Sequence, residues 1–440
     1  MSTTNISKAQ SSGSATNKFT LSFWAKRSVN TAGRLFTATG SSGDVYFRFN
    51  GNSTMEWSGD ASNASSAGYF VTNRLFRDYS NWYNLVIRFD STQGSASNRL
   101  RFYVNGVQEE SFSSYTDVNS GAVDKINLSG NTHYIGGAVS SQYFHGLLSH
   151  VHYCDGYSYG ADSFGSTDAT TGEWKLTPQP SVTYGSNGYF ILKDGATLTD
   201  SSSNSNNFAV ANGTLTATED CPSNVFATMN PLNFQADGYT ITNGNNSITG
   251  NASNAWRSLY GTLGASTGKF YWEQKINNNT DSSHIIGISD IDKMKNINDN
   301  DFENASTSAY GYRPDGAKIS KNTLSAGYGN TYTTNDIIGV AVDLDNSKIY
   351  FSKNGTWQNS GDPTSGATGT GAAYTIDANT TYTATTSTNQ GNNYYSYNFG
   401  NGVFGATAIS SEGSNASGIG KFEYDVPAGF TALSTKGLNE

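Results

Sequence analysis

Three acidic residues at alternate positions, Asp299, Asp301 and Glu303 in NDNDFEN, come nearest in this sequence to a set of carboxylates that could flank a glycosidic bond. In that chemistry one carboxyl group is the acid and the other is the nucleophile or base. The stretch falls in an expected long loop, which favours a solvated acidic loop, with a weak calcium site as the second alternative. Glu109 and Glu110 are adjacent, so they face opposite sides of any strand. We expect no catalytic residue in either stretch.

Histidine and cysteine alternate along SHVHYC, so His150, His152 and Cys154 share one face of a predicted strand. Both residue types bind zinc, but same-face neighbours on a strand lie about 7 Å apart, and three in a row fit a tetrahedron poorly. The alternative is the outward face of a strand whose other residues, such as Val151, pack inward. We expect no metal site and no cofactor.

Signatures of nucleophilic catalysis and phosphate binding are weak. The sequence has no G-x-S-x-G turn, although its many serines leave a Ser-His-Asp triad open. The stretch TGTGAA is rich in glycine but has no lysine, so it does not match a phosphate-binding loop. We therefore expect that the protein is not an enzyme.

Charge and composition exclude further classes. The 440 residues carry a net charge of −9 without a basic block, so we expect no binding to nucleic acid or to an anionic membrane surface. Cys154 and Cys221 lie in different segments, which argues against a disulfide framework. The N-terminus lacks an apolar h-region and no apolar run approaches 18 residues, so we expect neither a signal peptide nor a membrane span.

Alternating stretches predict an all-β protein with two jelly-roll-type antiparallel sandwiches in tandem. Closely spaced strands such as FTLSFWAKR and WYNLVIRFD place the first sandwich in residues 1–160. Strands such as KFYWEQKI and IIGVAVDLDNSKIYFSKNG place the second in residues 236–440. Residues 161–235 are polar and hold few strands, so we expect a partly structured connector. Strand content should exceed about 35%.

The same hairpin pattern occurs in both predicted sandwiches. RLRFYVNGVQ contains Asn105-Gly106, and KIYFSKNGTWQ contains Asn354-Gly355. In each case an apolar strand that ends in Asp comes first, a turn and an alternating strand follow, and Asn-Gly ends the hairpin. Because Asn and Gly tolerate positive φ, we expect a tight type I′ turn at both places.

Binding candidates come from aromatic and cationic residues in expected loops of the second sandwich. They are Arg313 after GY, Tyr328 in SAGYGN and Trp357 after the Asn-Gly turn. Protein contact sites favour Trp, Tyr and Arg. The alternative also holds, because buried tyrosine is ordinary in β-sandwiches and Trp357 would equally suit a cap on its own sheet.

Several motifs resemble known families. GKFYWEQKI, IIGIS, AYGYRPDGAKISKN and YYSYNFG resemble the SPRY domain in content and order. FTLSFWAKR, LRFYVNGVQ, YIGG and GLLSHVHYCDGYSYGADSFG resemble the laminin-G-like, concanavalin-A-like lectin fold. TGEWKLTPQP, CPSNVFATMNPLN and VPAGFTALSTKGLNE are similar to stretches of bacteriophage and marine viral structural proteins.

The resemblance implies a phage virion protein, made in the host cytoplasm, that binds other virion proteins and a host-surface glycan or protein. Our first expectation is a receptor-binding adhesin of a tail fibre or tail appendage, assembled as a homo-oligomer with a trimer favoured. The alternative is a capsid or tail decoration protein, because little chain precedes residue 18 for an anchor and stalk. A glycan depolymerase is the third, disfavoured by the missing carboxylate pair.

Overall fold

The computed structural model describes the chain except for residues 1–2, 11, 14, 42, 61–66, 234–235, 252–255, 280–282, 294–300, 304–305 and 390. The protein is nearly all β, with 41% strand, which confirms the predicted fold class. Residues 1–217 and 221–223 form one compact unit, and residues 218–220 and 224–440 form a second. The segment predicted as a connector is thus divided between the two units.

The first unit is a sandwich of antiparallel sheets. Its strands are β1 (Asn5–Ala9), β2 (Lys18–Arg27), β3 (Gly33–Thr39), β4 (Val45–Phe49), β5 (Met55–Ser58), β6 (Tyr69–Thr72), β7 (Tyr83–Asp90), β8 (Leu100–Val104), β9 (Val107–Gln108), β10 (Phe112–Thr116), β11 (Thr132–Ile135), β12 (Gly146–Asp155), β13 (Gly165–Thr167), β14 (Trp174–Leu176), β15 (Tyr189–Ile191) and β16 (Ala209–Asn212). One sheet has the order β10-β6-β5-β4-β3-β11-β1-β16, and the other has the order β15-β12-β2-β7-β8-β9. β13 and β14 pair separately.

Alternation along the central strands builds the core of this unit. Leu21, Ile87 and Phe102 lie opposite one another on β2, β7 and β8 and are fully buried or nearly so. Every second residue of these strands points the same way, so one face of the six-stranded sheet meets the eight-stranded sheet. β15 and β16, which follow the predicted first domain, add one strand to each sheet.

The second unit repeats the sandwich plan. Its strands are β17 (Tyr239–Thr242), β18 (Ser247–Gly250), β19 (Arg257–Ala265), β20 (Lys269–Asn278), β21 (His284–Asp290), β22 (Ala309–Tyr312), β23 (Lys318–Ser320), β24 (Thr323–Ser325), β25 (Ile337–Asp343), β26 (Lys348–Lys353), β27 (Thr356–Trp357), β28 (Tyr374–Thr375), β29 (Tyr382–Thr388), β30 (Tyr394–Asn398), β31 (Val403–Phe404), β32 (Thr407–Ala408) and β33 (Thr431–Ala432). The nine-stranded sheet runs β17-β18-β30-β20-β25-β26-β27, with β28 beside β26 and β33 parallel to β20. The six-stranded sheet runs β19-β29-β21-β22-β23-β24, and β31 pairs with β32.

Most helical structure in the described residues consists of short 3-10 turns. They are Ala96–Asn98, Ala161–Ser163, Ala236–Gly238, Ile291–Lys293, Asp301–Glu303, Gln358–Ser360, Pro363–Thr368 and Gly437–Asn439. Over the same residues, none of the helices has the length and apolar character that crossing a bilayer requires.

Both predicted Asn-Gly turns have the expected backbone. φ is 48° at Asn105 and 79° at Gly106, and it is 48° at Asn354 and 78° at Gly355. Two successive positive φ angles are what a type I′ hairpin turn requires. The turns join β8 to β9 and β26 to β27.

A segment of mostly irregular chain packs on the outer face of one sheet in each unit. We call residues 156–188 the first cover, which lies on the six-stranded sheet of the first unit. Ala161 and Phe164 of this cover are buried against Val86 and Cys154. The outer face of that sheet is therefore a second, smaller apolar layer.

The second cover, residues 403–432, packs on the outer face of the nine-stranded sheet. Phe422 and Phe430 of this cover form a buried cluster with Tyr271 and Tyr350. Phe270 and Trp272, the neighbours of Tyr271 on β20, belong instead to the core between the sheets. The part of β20 around Tyr271 is thus covered by protein on both faces.

Candidate ligand-binding site

The structure brings the segments that carry the three predicted binding residues into one loop cluster of the second unit. The amide of Gly329 donates to the carbonyl of Gly316 at 3.0 Å. The amide of Asn330 donates to Oε1 of Gln358 at 2.7 Å. The segments that hold Arg313, Tyr328 and Trp357 are therefore neighbours, although they are separate in sequence.

The side chains in this cluster differ in how accessible they are. Tyr328 is only 6% exposed, and its ring lies 5.6 Å from that of Tyr312 in the core of the unit. Burial raises the pKa of its phenol. This environment favours the alternative that the sequence left open, a core tyrosine.

Arg313 and Trp357 lie closer to the surface. Nε of Arg313 is 3.6 Å from a carboxylate oxygen of Asp315, and the arginine side chain is 18% exposed. The half-buried ring of Trp357 meets the rings of Tyr271 and Tyr350 edge-on at 6.3 and 6.5 Å. Trp357 thus caps the outer face of its sheet, and a ligand contact by either residue stays a prediction.

Sequence reasoning missed a cleft at the margin of the second cover. It has a volume of about 120 Å³ and is lined by Lys275, Asn277, Ile337, Phe404, Thr407, Ala408, Ser410 and Glu423. β20 presents Lys275 and Asn277 on its outer face, and the β31–β32 hairpin forms the opposite wall. We call this the Lys275 cleft.

The polar groups of the Lys275 cleft are not equally engaged. The ammonium of Lys275 lies 5.8 Å from the ring centre of Phe404 and has no ion pair or hydrogen bond among the residues that the structure describes. The carboxylate of Glu423, in contrast, accepts hydrogen bonds from the amide of Ser410 at 2.7 Å and from its hydroxyl. The cleft therefore offers a cation that has no acidic partner in the described part of the chain.

Glu273 holds the cover that forms this wall. Its carboxylate is fully buried and accepts from the amides of Glu423 and Tyr424 at 2.9 and 2.8 Å. Nδ2 of Asn398 and the hydroxyl of Tyr271 donate to it at 3.1 and 3.2 Å. Burial outweighs these four donors and raises the pKa of Glu273 to about 7. The carboxyl group thus connects the sheet to the cover.

The two histidines considered as zinc ligands have other partners, and the cysteine is buried. His150 Nδ1 is 2.7 Å from the Ser149 hydroxyl, and His152 Nδ1 is 2.9 Å from the Tyr184 hydroxyl. Burial lowers the pKa of His150 to about 4 and raises the pKa of the Cys154 thiol. No group of three or more histidine, cysteine or acidic side chains suited to a metal ion occurs in the described part of the chain.

The acidic residues considered for catalysis or calcium are described only in part. Asp299 lies outside the described residues, and Glu303 ends a short 3-10 turn. In the first unit Glu109 is buried and paired with Arg74, whereas Glu110 is exposed. The two adjacent carboxylates therefore differ in environment.

Two families match parts of the chain. Residues 2–156 match Laminin_G_3, described as the concanavalin A-like lectin/glucanases superfamily, and residues 269–376 match the SPRY domain. These matches confirm both domain resemblances, while the resemblance to phage proteins stays a prediction. Lectin-like and SPRY domains typically mediate binding to proteins or glycans.

No curated protein matches this chain. Among solved structures, the SPRY domain of human HERC1 is 16% identical, with 38% of this chain and 96% of that chain covered and a TM-score of 0.30. The native heptameric SAP-like pentraxin from Limulus polyphemus is 16% identical, with coverage of 48% and 88% and a TM-score of 0.31. A human SPRY domain is 12% identical, with coverage of 36% and 94% and a TM-score of 0.27.

Proposed function

We propose that the protein is a non-enzymatic binding protein that attaches to a glycan or protein at a host surface. The Lys275 cleft is the observation that carries this proposal. It combines an ammonium that has no acidic partner among the described residues, an aromatic ring and hydroxyl groups in one concave site, and polar groups of this kind fix the orientation of a ligand. The two domain matches support it, because lectin-like and SPRY domains typically mediate binding to proteins or glycans.

The virion is the place we propose for this activity. The support is the resemblance of TGEWKLTPQP, CPSNVFATMNPLN and VPAGFTALSTKGLNE to stretches of phage structural proteins. A tail-appendage adhesin would act as a symmetric homo-oligomer, with a trimer favoured. Mass spectrometry of purified particles from the encoding phage should find the chain, and its absence from intact particles would remove this part of the proposal.

A charge reversal in the cleft tests the binding function. Lys275→Glu should weaken binding to the glycan or host-envelope protein that an array screen of the wild-type chain identifies, by tenfold or more. Lys436→Glu is the matched control, because Lys436 is exposed and lies outside the cleft. Equal affinity of the wild type and Lys275→Glu would contradict the assignment of binding to the cleft. The absence of binding to any glycan or envelope protein would contradict the proposed function.

A further inference from the structure

Three polar residues form a row across the outer face of the six-stranded sheet in the first unit. In the strand register, Thr20 of β2 lies opposite Arg88 of β7, and Arg88 lies opposite Arg101 of β8. Their sequence neighbours, such as Ile87 and Phe102, point into the core, so the row faces outward. Arg88 and Arg101 are both half-buried. We call Arg88 and Arg101 the arginine pair.

The arginine pair has no carboxylate partner in the part of the chain that the structure describes. Nε of Arg88 donates to the hydroxyl of Ser158 at 2.9 Å, and a terminal nitrogen of Arg101 donates to the amide oxygen of Asn98. Nε of Arg101 is buried and has no hydrogen-bond partner among the described residues. Like charges directly opposite on neighbouring strands repel each other, so this arrangement is unfavourable in the free protein.

Two other basic residues on the sheets of this unit lie opposite a carboxylate. Arg48 of β4 lies opposite Glu56 of β5, and the two form an ion pair at 2.8 Å. Asp90 lies two residues beyond Arg88 on β7, opposite Lys18 of β2. Its carboxylate is 3.9 Å from the ammonium of Lys18. The chain carries a net charge of −9, and in it two guanidinium groups lie opposite each other with no carboxylate on either among the described residues, an arrangement that an anion would stabilise.

An aromatic platform adjoins the pair. The rings of Tyr157 and Tyr159 are parallel within 13°, with their centres 6.2 Å apart. The hydroxyl of Thr20 donates to the carbonyl of Tyr157 at 3.0 Å and accepts from the amide of Tyr159 at 2.8 Å. Tyr157 is 42% exposed, so one aromatic ring is open to solvent at the end of the row.

We propose that Arg88, Arg101 and Tyr157 form a binding site for an acidic glycan. The planar guanidinium groups suit the paired oxygens of a carboxylate or sulfate, which would lie between them and remove their repulsion. The aromatic ring of Tyr157 would stack on the adjoining sugar. Three neighbouring strands span about 10 Å, which suits a short oligosaccharide.

This site deepens the proposed function and rests on it, because it assigns a ligand class to the first unit of a binding protein. It is distinct from the Lys275 cleft, which belongs to the other unit. A carboxylate-bearing sugar and a sulfated sugar share the required chemistry. The experiment therefore includes both, together with their neutral counterparts.

The test measures affinity by calorimetric titration of the full chain with a polyuronate fragment, a sulfated hexasaccharide and its desulfated form. The wild type should bind at least one acidic ligand, and the double variant Arg88→Gln/Arg101→Gln should lose tenfold or more of that affinity. Tyr157→Ala, which removes only an exposed ring, should weaken the same ligand and keeps the test valid if the double variant fails to fold. Arg77→Gln is the control, because Arg77 is exposed in the same unit.

The outcomes separate the two proposals. The site would be overturned if the folded double variant and Tyr157→Ala both bound the acidic glycan as tightly as the wild type. An equal loss of affinity in the control Arg77→Gln would also overturn it. Binding of the wild type to neutral glycans or proteins alone would also overturn the site, while it leaves the binding function standing. Failure to bind any glycan or host protein would instead remove the proposed function itself.

Discussion

The two Asn-Gly hairpins are alike in detail, although they belong to different domain families. The side-chain oxygen of Asn105 accepts from the amide of Asn84 at 2.8 Å, and that of Asn354 accepts from the amide of Ile337 at 2.8 Å. Each asparagine therefore fastens its turn to the start of the neighbouring strand. The shared Asn-Gly turn sets the register of each hairpin, and this role requires no common ligand.

Each turn also receives an aromatic ring from the cover of its own unit. A β-carbon on Gly106 would lie 2.3 Å from the ring of Trp174, and one on Gly355 would lie 2.7 Å from the ring of Tyr424. Glycine is thus required at each turn for two reasons. Its φ is positive, and the aromatic ring leaves no room for a β-carbon. The hairpin appears twice because two sandwiches dock a cover in the same way.

The covers differ in what they leave open. The first closes over Val86 and Cys154 and ends beside the uncompensated arginine pair. The second is connected to the sheet by Glu273 and leaves the Lys275 cleft. Both proposed binding sites thus lie at the margins of the covers, while the repeated turns have structural contacts.

The largest expected effect comes from the turn glycines. Gly355→Val places a β-branched residue at positive φ and against Tyr424, which should cost about 4 kcal/mol. The melting temperature of the second unit should fall by roughly 8–16 °C in calorimetry, while the first unit melts as before. Gly106→Val should do the same to the first unit. If neither variant lowers the melting temperature of its unit, the structural role given to the two turns is wrong.

Glu273 should make the second unit sensitive to pH. Because burial raises its pKa from 4.5 to about 7, the folded unit binds this proton more tightly than the unfolded chain does. The contribution to stability is therefore full below pH 4.5 and is lost as the pH rises through 7, by up to about 3 kcal/mol. The melting temperature of wild type should fall from pH 5 to 8 more steeply than that of Glu273→Gln. Parallel pH profiles would contradict a raised pKa.

Trp357→Ala separates a cap from a ligand contact. Loss of the half-buried ring from Tyr271 and Tyr350 should destabilise the second unit by about 2 kcal/mol. Binding at the Lys275 cleft should be retained at temperatures where the unit is folded. A variant with unchanged melting and reduced binding would instead identify Trp357 as a ligand contact, and recognition would then extend to the hairpin.

The smallest expected effect is on the arginine pair. Arg101→Gln removes a like-charge repulsion, so the first unit should keep its stability or gain about 0.5 kcal/mol. Thermal melting at low ionic strength measures the change, since salt screens it. A clear loss of stability would show that Arg101 has a structural role that the proposed site does not include.

Local patterns in the sequence were enough to predict the sandwiches. FTLSFWAKR lies within β2 and KFYWEQKI within β20, because alternation follows from one buried and one outer face. Both Asn-Gly turns are confirmed, since their geometry depends on two adjacent residues. The extension of the first unit to β15 and β16 was not visible, because short strands gain their partners from distant chain.

The candidate site was less visible for a physical reason. Lys275 occupies an outer position of a clear strand, but the wall opposite it comes from residues 403–432, more than a hundred residues later. The burial of Tyr328 likewise depends on packing against Tyr312 and Phe351 from other strands. The sequence did contain one signal of the cleft, the charged residues of β20. Tyr271, Glu273 and Lys275 occupy alternate positions on the outer face of this strand.

Hydrogen–deuterium exchange of the full chain, with and without a saturating sulfated hexasaccharide, tests most directly whether recognition lies at a cover margin. We predict slower exchange in peptides that cover residues 86–103 and 156–160, and unchanged exchange at Asn105-Gly106 and Asn354-Gly355. Protection centred on the two turns, or at neither margin despite measured binding, would contradict the account.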